Sequence, residues 1–290
     1  MRQLLPRAKP TMPPHRSRYL LCEGRELHFT EWGHDQAETV VAWHGLARTG
    51  RDMDFIAAHL AARYRVICPD TIGRGLSQWS PLPAQEYCLA FYERLALSLA
   101  DQLGLDRMHW LGTSMGAAIG LRASAGLLRG RITRLVMNDM GPQLPQPAIH
   151  RILAYAGNPQ TFTTVSELEQ YFRTVYKPYG WLSDAQWRHL TETSMRRLPD
   201  GQVAPHYDPA MVLQFVHHPD DYLQWDAWDR LELPVLCLRG QSSDLLLPET
   251  ADAMRSRGPR AVVVTIPDCG HAPALNTPDQ FALVERFFSP

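Results

Sequence analysis

The sequence lacks the features that mark membrane-spanning, nucleotide-binding and nucleic-acid-binding proteins. No apolar run approaches the ~18 residues that a membrane-spanning helix needs. The formal net charge is −1, which supplies no general attraction for nucleic acid. The chain has no GxGxxG fingerprint after its first predicted strand and no P-loop, so no nucleotide cofactor is predicted. These absences favour a soluble cytoplasmic protein and argue against a nucleic-acid or membrane partner.

Paired cysteines and metal-ligand spacings are also missing. The chain has 5 cysteines, an odd number, and they are widely spaced without a CxxC pair. This pattern excludes a disulfide framework and a cysteine zinc site, and it predicts reduced thiols packed as small hydrophobic side chains. His217 and His218 are adjacent, whereas two ligands on one helix face would be spaced i, i+4. No metal and no other cofactor is therefore predicted.

The composition and the hydrophobic pattern indicate a globular α/β protein. Hydrophobic residues make up 45% of the 290 positions and charged residues 20%, enough for a large core. The basic, proline-rich segment 1–17 lacks the apolar centre of a signal peptide and is predicted to be a loose arm. Short β-rich runs then alternate with helical patterns, which is typical of a mainly parallel sheet. The strands are predicted at 18–22, 27–32, 39–43, 65–68, 108–111, 132–137, 235–238 and 261–266.

The helical patterns lie between and after these strands. Those that alternate with the strands are predicted at 52–64, 87–103, 115–128, 248–256 and 278–288. A long segment between the sixth and seventh strands has no clear strand pattern, only short helices such as 166–175 and 184–196. Of the 27 aromatic residues, 13 lie between Gln146 and Arg230. We interpret this segment as a helical insertion over the strand ends that bind ligands in open α/β sheets. Alternatively, its aromatic residues only attach a small subdomain to the sheet beneath it.

The pentapeptide 112–116, Gly-Thr-Ser-Met-Gly, is the clearest chemical motif. It follows a predicted strand and precedes a predicted helix, which is the context that a serine nucleophile requires. Such a serine projects from a strained turn where only glycine leaves room for neighbouring chain. The turn also directs Ser114 toward the first amides of a helix, which favour an anion. The alternative is a glycine-rich strand-to-helix turn without chemistry.

A serine nucleophile needs a base and an orienting carboxylate. His271 follows the last predicted strand and precedes the closing helix, so its imidazole can hang over the carboxyl edge of the sheet. Asp244 follows the preceding strand in a loop that is free to reach inward, and it is predicted to orient His271. Asp139, at the end of the sixth strand, is the rival. We expect Asp139 to organise the exit into the insertion by accepting local backbone amides.

Acyl transfer also needs donors for the tetrahedral oxyanion. Residues 43–47 follow a buried strand, and Gly45 lets the following amides turn toward the nucleophile. The amides of Leu46 and Met115 are therefore predicted to form the oxyanion hole. His44 is expected to support this loop by hydrogen bonding rather than to act as the base.

Taken in order, these motifs resemble those of the α/β-hydrolase superfamily, in its capped, carboxylesterase-like branch. The resemblance covers nearly the whole chain from about Arg18 onward, through residues 44–45, 70–77, 112–116, 244 and 270–271. It implies a mostly parallel eight-stranded sheet with helices on both faces, a core at 18–141 and 230–290, and a helical cap at 142–229. Position by position, it implies Ser114 as nucleophile, His271 as base, Asp244 as its partner, and Leu46 and Met115 as oxyanion donors. Dehalogenases and epoxide hydrolases of the superfamily carry aspartate at the Ser114 position, which argues against both.

The predicted function is a serine hydrolase of small to medium carboxylic esters or lactones, acting through an acyl-enzyme on Ser114. One alternative is a carbon–carbon bond hydrolase of a ring-cleavage diketone. Such a substrate carries a carboxylate, and its pocket would offer a buried arginine, for which Arg173 and Arg188 are candidates. Another alternative is a ligand receptor that retains the triad. Three aromatic residues of the insertion are predicted to line the substrate pocket: Trp181, Tyr207 and Phe215.

Overall fold

A computed structural model describes residues 12–289 of the chain, which contain ten strands. These are β1 (His15–Cys22), β2 (Arg25–Trp32), β3 (Thr39–Trp43), β4 (Arg65–Pro69), β5 (Met108–Thr113), β6 (Ile132–Asn138), β7 (Met195–Arg197), β8 (Val203–Pro205), β9 (Val235–Gly240) and β10 (Val262–Ile266). Eight of them form one sheet in the order β1-β2-β4-β3-β5-β6-β9-β10. The β1–β2 and β2–β4 pairs are antiparallel, and the others are parallel. The predicted mostly parallel, eight-stranded α/β sheet is confirmed.

Eleven α-helices lie within the same residues. They are α1 (Asp54–Leu60), α2 (Pro83–Glu86), α3 (Leu89–Gln102), α4 (Met115–Ala125), α5 (Gln146–Ala156), α6 (Val165–Val175), α7 (Asp184–Glu192), α8 (Gln214–His217), α9 (Trp225–Asp229), α10 (Pro248–Ser256) and α11 (Pro278–Phe288). The predictions at 248–256 and 278–288 are confirmed to the residue, since a proline at the first helical position marks each start. None of the helices between residues 12 and 289 is long and apolar enough to cross a membrane.

The central strands are buried on both faces because helices cover both sides of the sheet. All five residues of β3 are buried, and alternate side chains enter different cores. Val41 and Trp43 belong to the core that contains α3 and α4, whereas Val40 and Ala42 belong to the core that contains α1 and α11. All 5 cysteines are free and buried, as predicted from their spacing.

The segment between β6 and β9 carries α5 to α9 and the short antiparallel hairpin β7–β8. Capping boxes at Thr164 and Ser183 start α6 and α7. Phe172, Trp187 and Val203 belong to a third hydrophobic cluster, which packs this segment internally. The expectation of helices alone was wrong here, because strands of three residues are too short to show an alternating pattern.

The N-terminal boundary also differs from the prediction. Strand β1 begins at His15 and pairs with β2 through Trp32, so residues 15–17, predicted to be part of a loose arm, lie in the sheet. Residues 12–14 of the predicted arm lie outside any helix or strand, and residues 1–11 lie outside the described residues.

Candidate active site

Ser114 lies on the sharp turn that joins β5 to α4. Its φ and ψ are 53° and −116°, a left-handed backbone conformation that non-glycine residues rarely adopt. The neighbouring glycines make this turn possible. A Cβ at Gly116 would lie 2.2 Å from the Trp43 carbonyl oxygen, and one at Gly112 would lie 2.2 Å from the Gly116 carbonyl carbon. The pentapeptide therefore forms the strained turn that its sequence predicts.

His271 connects Ser114 to a buried carboxylate. Its Nε2 lies 2.9 Å from Ser114 Oγ, and its Nδ1 lies 2.7 Å from Asp139 Oδ2. A carboxylate accepts hydrogen bonds only, so Nδ1 carries the proton and Nε2 accepts from the serine hydroxyl. The loop that carries His271 approaches β9 so closely that a Cβ at Gly240 would lie 2.1 Å from the Gly270 oxygen.

Asp139 is the carboxylate of this array, and it is held from three sides. Its side chain is fully buried at the end of β6, with φ at 57°. Oδ1 accepts the Gly240 N–H at 2.7 Å, and Oδ2 accepts the Ser243 hydroxyl at 2.6 Å as well as His271 Nδ1. A buried carboxylate with three donors is stabilised without a cationic partner.

The prediction that Asp244 orients His271 was wrong. Asp244 is 58% exposed at the rim of the cavity above Ser114, and it pairs with Arg151 at 2.7 Å. Ser243 takes the inward position of this loop and donates to Asp139, while the next residue faces outward. The loop therefore reaches the site as predicted, but it contributes a hydroxyl and a backbone amide rather than the carboxylate.

The two predicted oxyanion residues flank Ser114 and share a buried support. Neither the Leu46 nor the Met115 amide donates to an acceptor within residues 12–289. Met115 begins α4, whose first amides are free by geometry. Behind them, the fully buried Arg74 donates from Nε to the Leu46 carbonyl at 2.9 Å, and its Nη2 lies 3.6 Å from Met115 Sδ. Sequence reasoning assigned no role to Arg74, although it lies in the 70–77 motif.

His44 supports the loop that carries Leu46, as predicted. Its Nδ1 donates to the Gly45 carbonyl at 2.6 Å, and its Nε2 accepts the Thr71 N–H at 2.9 Å. Complete burial lowers the pKa of His44 to about 4, so the ring is neutral at neutral pH.

Ser114 and His271 open into a cavity of about 830 Å³. Aromatic side chains from α5 and from the 176–179 turn line it, namely Tyr155, Tyr176 and Tyr179. Arg48 lines it as well, whereas neither of the predicted arginines does. Arg173 pairs with Glu169 at 2.7 Å, and the side chain of Arg188 is 68% exposed. Within the described part of the chain, no cluster of three or more His, Cys, Asp or Glu side chains is arranged to hold a metal ion.

None of the three predicted pocket aromatics lines this cavity. Trp181 is 74% exposed, Tyr207 is buried in the main core, and Phe215 stacks on Tyr222 with ring centroids 5.4 Å apart. That aromatic side chains of this segment line the cavity was predictable. Which of them face the cavity depends on tertiary packing, which a single sequence does not reveal.

A second serine–histidine–aspartate array lies outside the lining of this cavity. Ser17 Oγ is 2.8 Å from His28 Nε2, and His28 Nδ1 is 2.7 Å from Asp70 Oδ2. Asp70 also accepts the amides of Gly50 and Leu76. Ser17 lies in the edge strand β1, not on a turn at the start of a helix. The array stabilises the sheet edge and the 70–77 loop.

Comparisons with known proteins agree with this architecture. The model of the alpha/beta hydrolase family matches residues 40–283. The chain is 38% identical over 274 residues to a 3-hydroxybutyrate-oligomer hydrolase from Cupriavidus necator, a match that covers 91% of this chain and 92% of the relative. It is 30% identical to an alpha/beta hydrolase from Novosphingobium aromaticivorans, with a TM-score of 0.84 over 96% of this chain and 99% of that one. A putative hydrolase from Rickettsia typhi shares the fold at 24% identity, with a TM-score of 0.86 over 94% of this chain and 98% of that one.

Proposed function

Because the chain belongs to the alpha/beta hydrolase family and its relatives are hydrolases, we propose that it is a serine carboxylic ester hydrolase. The observation that carries the proposal is the hydrogen-bonded chain Asp139–His271–Ser114, with distances of 2.7 and 2.9 Å, at the floor of a large cavity. This arrangement matches the nucleophile, base and orienting acid of acyl transfer.

Each member of the array has a distinct task. His271 Nε2 takes the hydroxyl proton while Ser114 Oγ attacks the ester carbonyl carbon, and Asp139 stabilises the imidazolium that forms. The amides of Leu46 and Met115 stabilise the tetrahedral oxyanion. Collapse breaks the ester C–O bond, and His271 returns its proton to the leaving alcohol. Water then repeats the sequence on the acyl-enzyme and releases the acid.

Arg74 is the positioning residue for the oxyanion loop. Its guanidinium donates to the carbonyls of Leu46 and Ile72 and to the Tyr92 hydroxyl, all neutral acceptors. It forms no ion pair within residues 12–289, so a buried positive charge stands behind the two amides. Such a fixed charge favours an anion in the hole without reorganising during the reaction.

We propose that the substrate class is short hydroxy-acid esters, with lactones as the related cyclic form. The name of the Cupriavidus necator relative gives 3-hydroxybutyrate oligomers as its substrate, and the units of such oligomers are joined by ester bonds. We propose that residues 142–229 act as a cap, because Tyr155, Tyr176 and Tyr179 from this segment line the cavity over Ser114. Aromatic side chains supply apolar area beside a hydroxyl that can meet a polar substrate.

A hydrolysis panel tests the proposal. We would assay p-nitrophenyl esters of graded acyl length, 3-hydroxybutyrate dimer and trimer, a lactone and a ring-fission diketone. Ser114→Ala should lose turnover and labelling by a fluorophosphonate, whereas the matched control Ser17→Ala should keep both. Appreciable turnover in Ser114→Ala, or a label on another serine, would refute the assignment. Preference for the diketone would favour the carbon–carbon hydrolase. The observation in favour of this second candidate is the buried Arg48 in the cavity, since a ring-cleavage diketone carries a carboxylate that an arginine can bind.

A further inference from the structure

The cavity contains a buried cation that the proposed acyl-transfer machinery does not use. Arg48 is only 3% exposed, yet it lines the same cavity as Ser114 and His271. It follows Leu46 by two residues, so the loop that places the proposed oxyanion amide also places this guanidinium. Arginine is rarely buried unless its donors are matched by acceptors.

The guanidinium is fixed in one orientation. Its Nε and Nη2 form a bidentate pair with Asp52 at 2.6 and 2.7 Å, and Nη2 also donates to Ser194 Oγ at 2.7 Å. The group lies over the Tyr176 ring at 4.5 Å and over the Phe172 ring at 5.3 Å. Ion pairing and stacking together hold the Arg48 guanidinium rigidly, so the side chain loses little conformational entropy when a ligand binds.

Part of this guanidinium is unused. A guanidinium has five N–H donors, and the contacts to Asp52 and Ser194 occupy the one on Nε and the two on Nη2. The two donors on Nη1 have no acceptor among residues 12–289. Nη1 is not one of the fully buried polar atoms that lack a partner, so it stays accessible although the Arg48 side chain as a whole is buried. Because Arg48 borders the cavity, a bound molecule can supply the missing acceptors.

Charge makes a carboxylate the best acceptor. Burial acts to lower the pKa of Arg48, but the Asp52 carboxylate together with Tyr176 and Tyr179 outweighs burial and holds this pKa well above its ordinary value, so the guanidinium stays charged. Asp52 also offsets the charge of Arg48 at long range. Recognition is therefore short-range, through charge-assisted hydrogen bonds from Nη1, which are stronger than those between neutral groups.

We propose that Arg48 Nη1 binds the free carboxylate of an ester substrate whose leaving alcohol is itself a hydroxy acid. In a hydroxy-acid dimer, the carboxylate belongs to the unit that leaves as the alcohol, a few bonds from the scissile carbonyl. This proposal rests on the proposed function and adds a recognition residue and a requirement for a free acid end. The enzyme then cleaves soluble short oligomers from their acid end in preference to blocked esters.

A matched pair of substrates tests the proposal on the unaltered enzyme. We would compare kcat/KM for 3-hydroxybutyrate dimer and for its methyl ester, which hides the carboxylate and keeps the scissile bond. We expect the free acid to be preferred by about 10- to 100-fold, as for one charge-assisted contact. Equal kcat/KM values would overturn the proposal, because they would show that Nη1 contacts at most a neutral carbonyl oxygen of the substrate.

Variants assign the effect to one residue. Arg48→Met should reduce the ratio of kcat/KM for the free acid to kcat/KM for the methyl ester by about 10- to 100-fold, whatever loss the two substrates share. Lys177→Met is the control, because Lys177 is another cation lining the cavity, but exposed. It should leave the preference intact. Loss of the preference in Lys177→Met alone would move the site to Lys177 and overturn the assignment to Arg48.

Calorimetry separates this proposal from the proposed function and from misfolding. Binding of 3-hydroxybutyrate and of 3-hydroxybutyramide, its uncharged counterpart, to the unaltered protein needs neither turnover nor a variant. Tighter binding of the carboxylate by at least about tenfold supports the anion site, even if no ester is cleaved. Equal binding overturns the site, even if Ser114-dependent cleavage of p-nitrophenyl esters is normal.

Discussion

Replacing Asp139 with Asn is the most discriminating change to the array. The Asp139 carboxylate accepts from His271, Ser243 and the Gly240 amide, so the NH₂ of an asparagine would face one of these donors. The imidazole would then carry its proton on Nε2, where it cannot accept from Ser114. Loss of the correct tautomer costs about 10⁴ in kcat, which corresponds to about 5.4 kcal/mol of transition-state stabilisation.

Asp244→Asn is the matched control for this variant. Asp244 forms an exposed ion pair with Arg151, and such a pair contributes about 0–1 kcal/mol. We expect its kcat to remain within about fivefold of the unaltered enzyme. Initial rates with p-nitrophenyl butyrate measure both variants, and circular dichroism at the assay temperature confirms that each is folded. Loss of the Asp139 contacts should lower the Tm of the Asp139→Asn variant, so both variants should be assayed at a temperature well below that Tm.

Two results would refute the reasoning. Near-normal kcat in a folded Asp139→Asn variant would show that the hydrogen bond to His271 is dispensable. A 10⁴-fold loss in Asp244→Asn would restore the carboxylate first predicted, through a rearrangement of the 241–244 loop.

Three further predictions follow from burial and packing. The pKa of His44 is about 6.5 in the unfolded chain and about 4 in the folded protein, so protonation favours unfolding. The free energy of unfolding should therefore fall by about 3 kcal/mol between pH 7 and pH 4. Urea titrations of the His44→Gln variant should not show this contribution to the pH dependence. Tyr155→Ala should shift the acyl-length optimum by enlarging the cavity, whereas Trp181→Ala, at an exposed position, should not; an unchanged ester profile for both would contradict the cavity assignment. Gly116→Ala should fail to fold stably, because its methyl would overlap the Trp43 carbonyl, and a Tm near that of the unaltered protein would contradict this.

Much of the sheet was predictable because its strands are short, apolar and buried on both faces. Thr39–Trp43 was predicted to the residue for this reason, and its burial is complete. The β7–β8 hairpin was not predictable, since each of its strands has only three residues and only β8 is buried. Local alternation carries no signal over so few residues.

The choice between the two carboxylates shows where a single sequence runs out. The prediction assumed that a flexible loop places Asp244 inward, but Ser243 and the Gly240 amide take that position. A weak signal was present, because Asp139 follows a buried apolar strand directly, whereas Asp244 follows the polar run 241–243. The left-handed backbone at Asp139 turns its side chain toward His271, and no residue type announces that conformation.

The position of Asp139 has a consequence for how this protein can diversify. The proposed nucleophile and acid lie at the ends of the adjacent strands β5 and β6, and the Ser114 amide donates directly to the Asn138 carbonyl at 3.0 Å. Both precede residues 142–229 along the chain, so insertions, deletions or wholesale exchange of that segment do not displace either of them. Only the strands β9 and β10 must pair in register, because the loops that follow them bring the Ser243 hydroxyl to Asp139 and His271 to Ser114. The proposed cap and the proposed catalytic residues thus lie in separate stretches of sequence, while Arg48, the proposed carboxylate contact, stays with the catalytic residues. Grafting 142–229 from a relative should therefore change which substrate groups the cavity accepts around that contact.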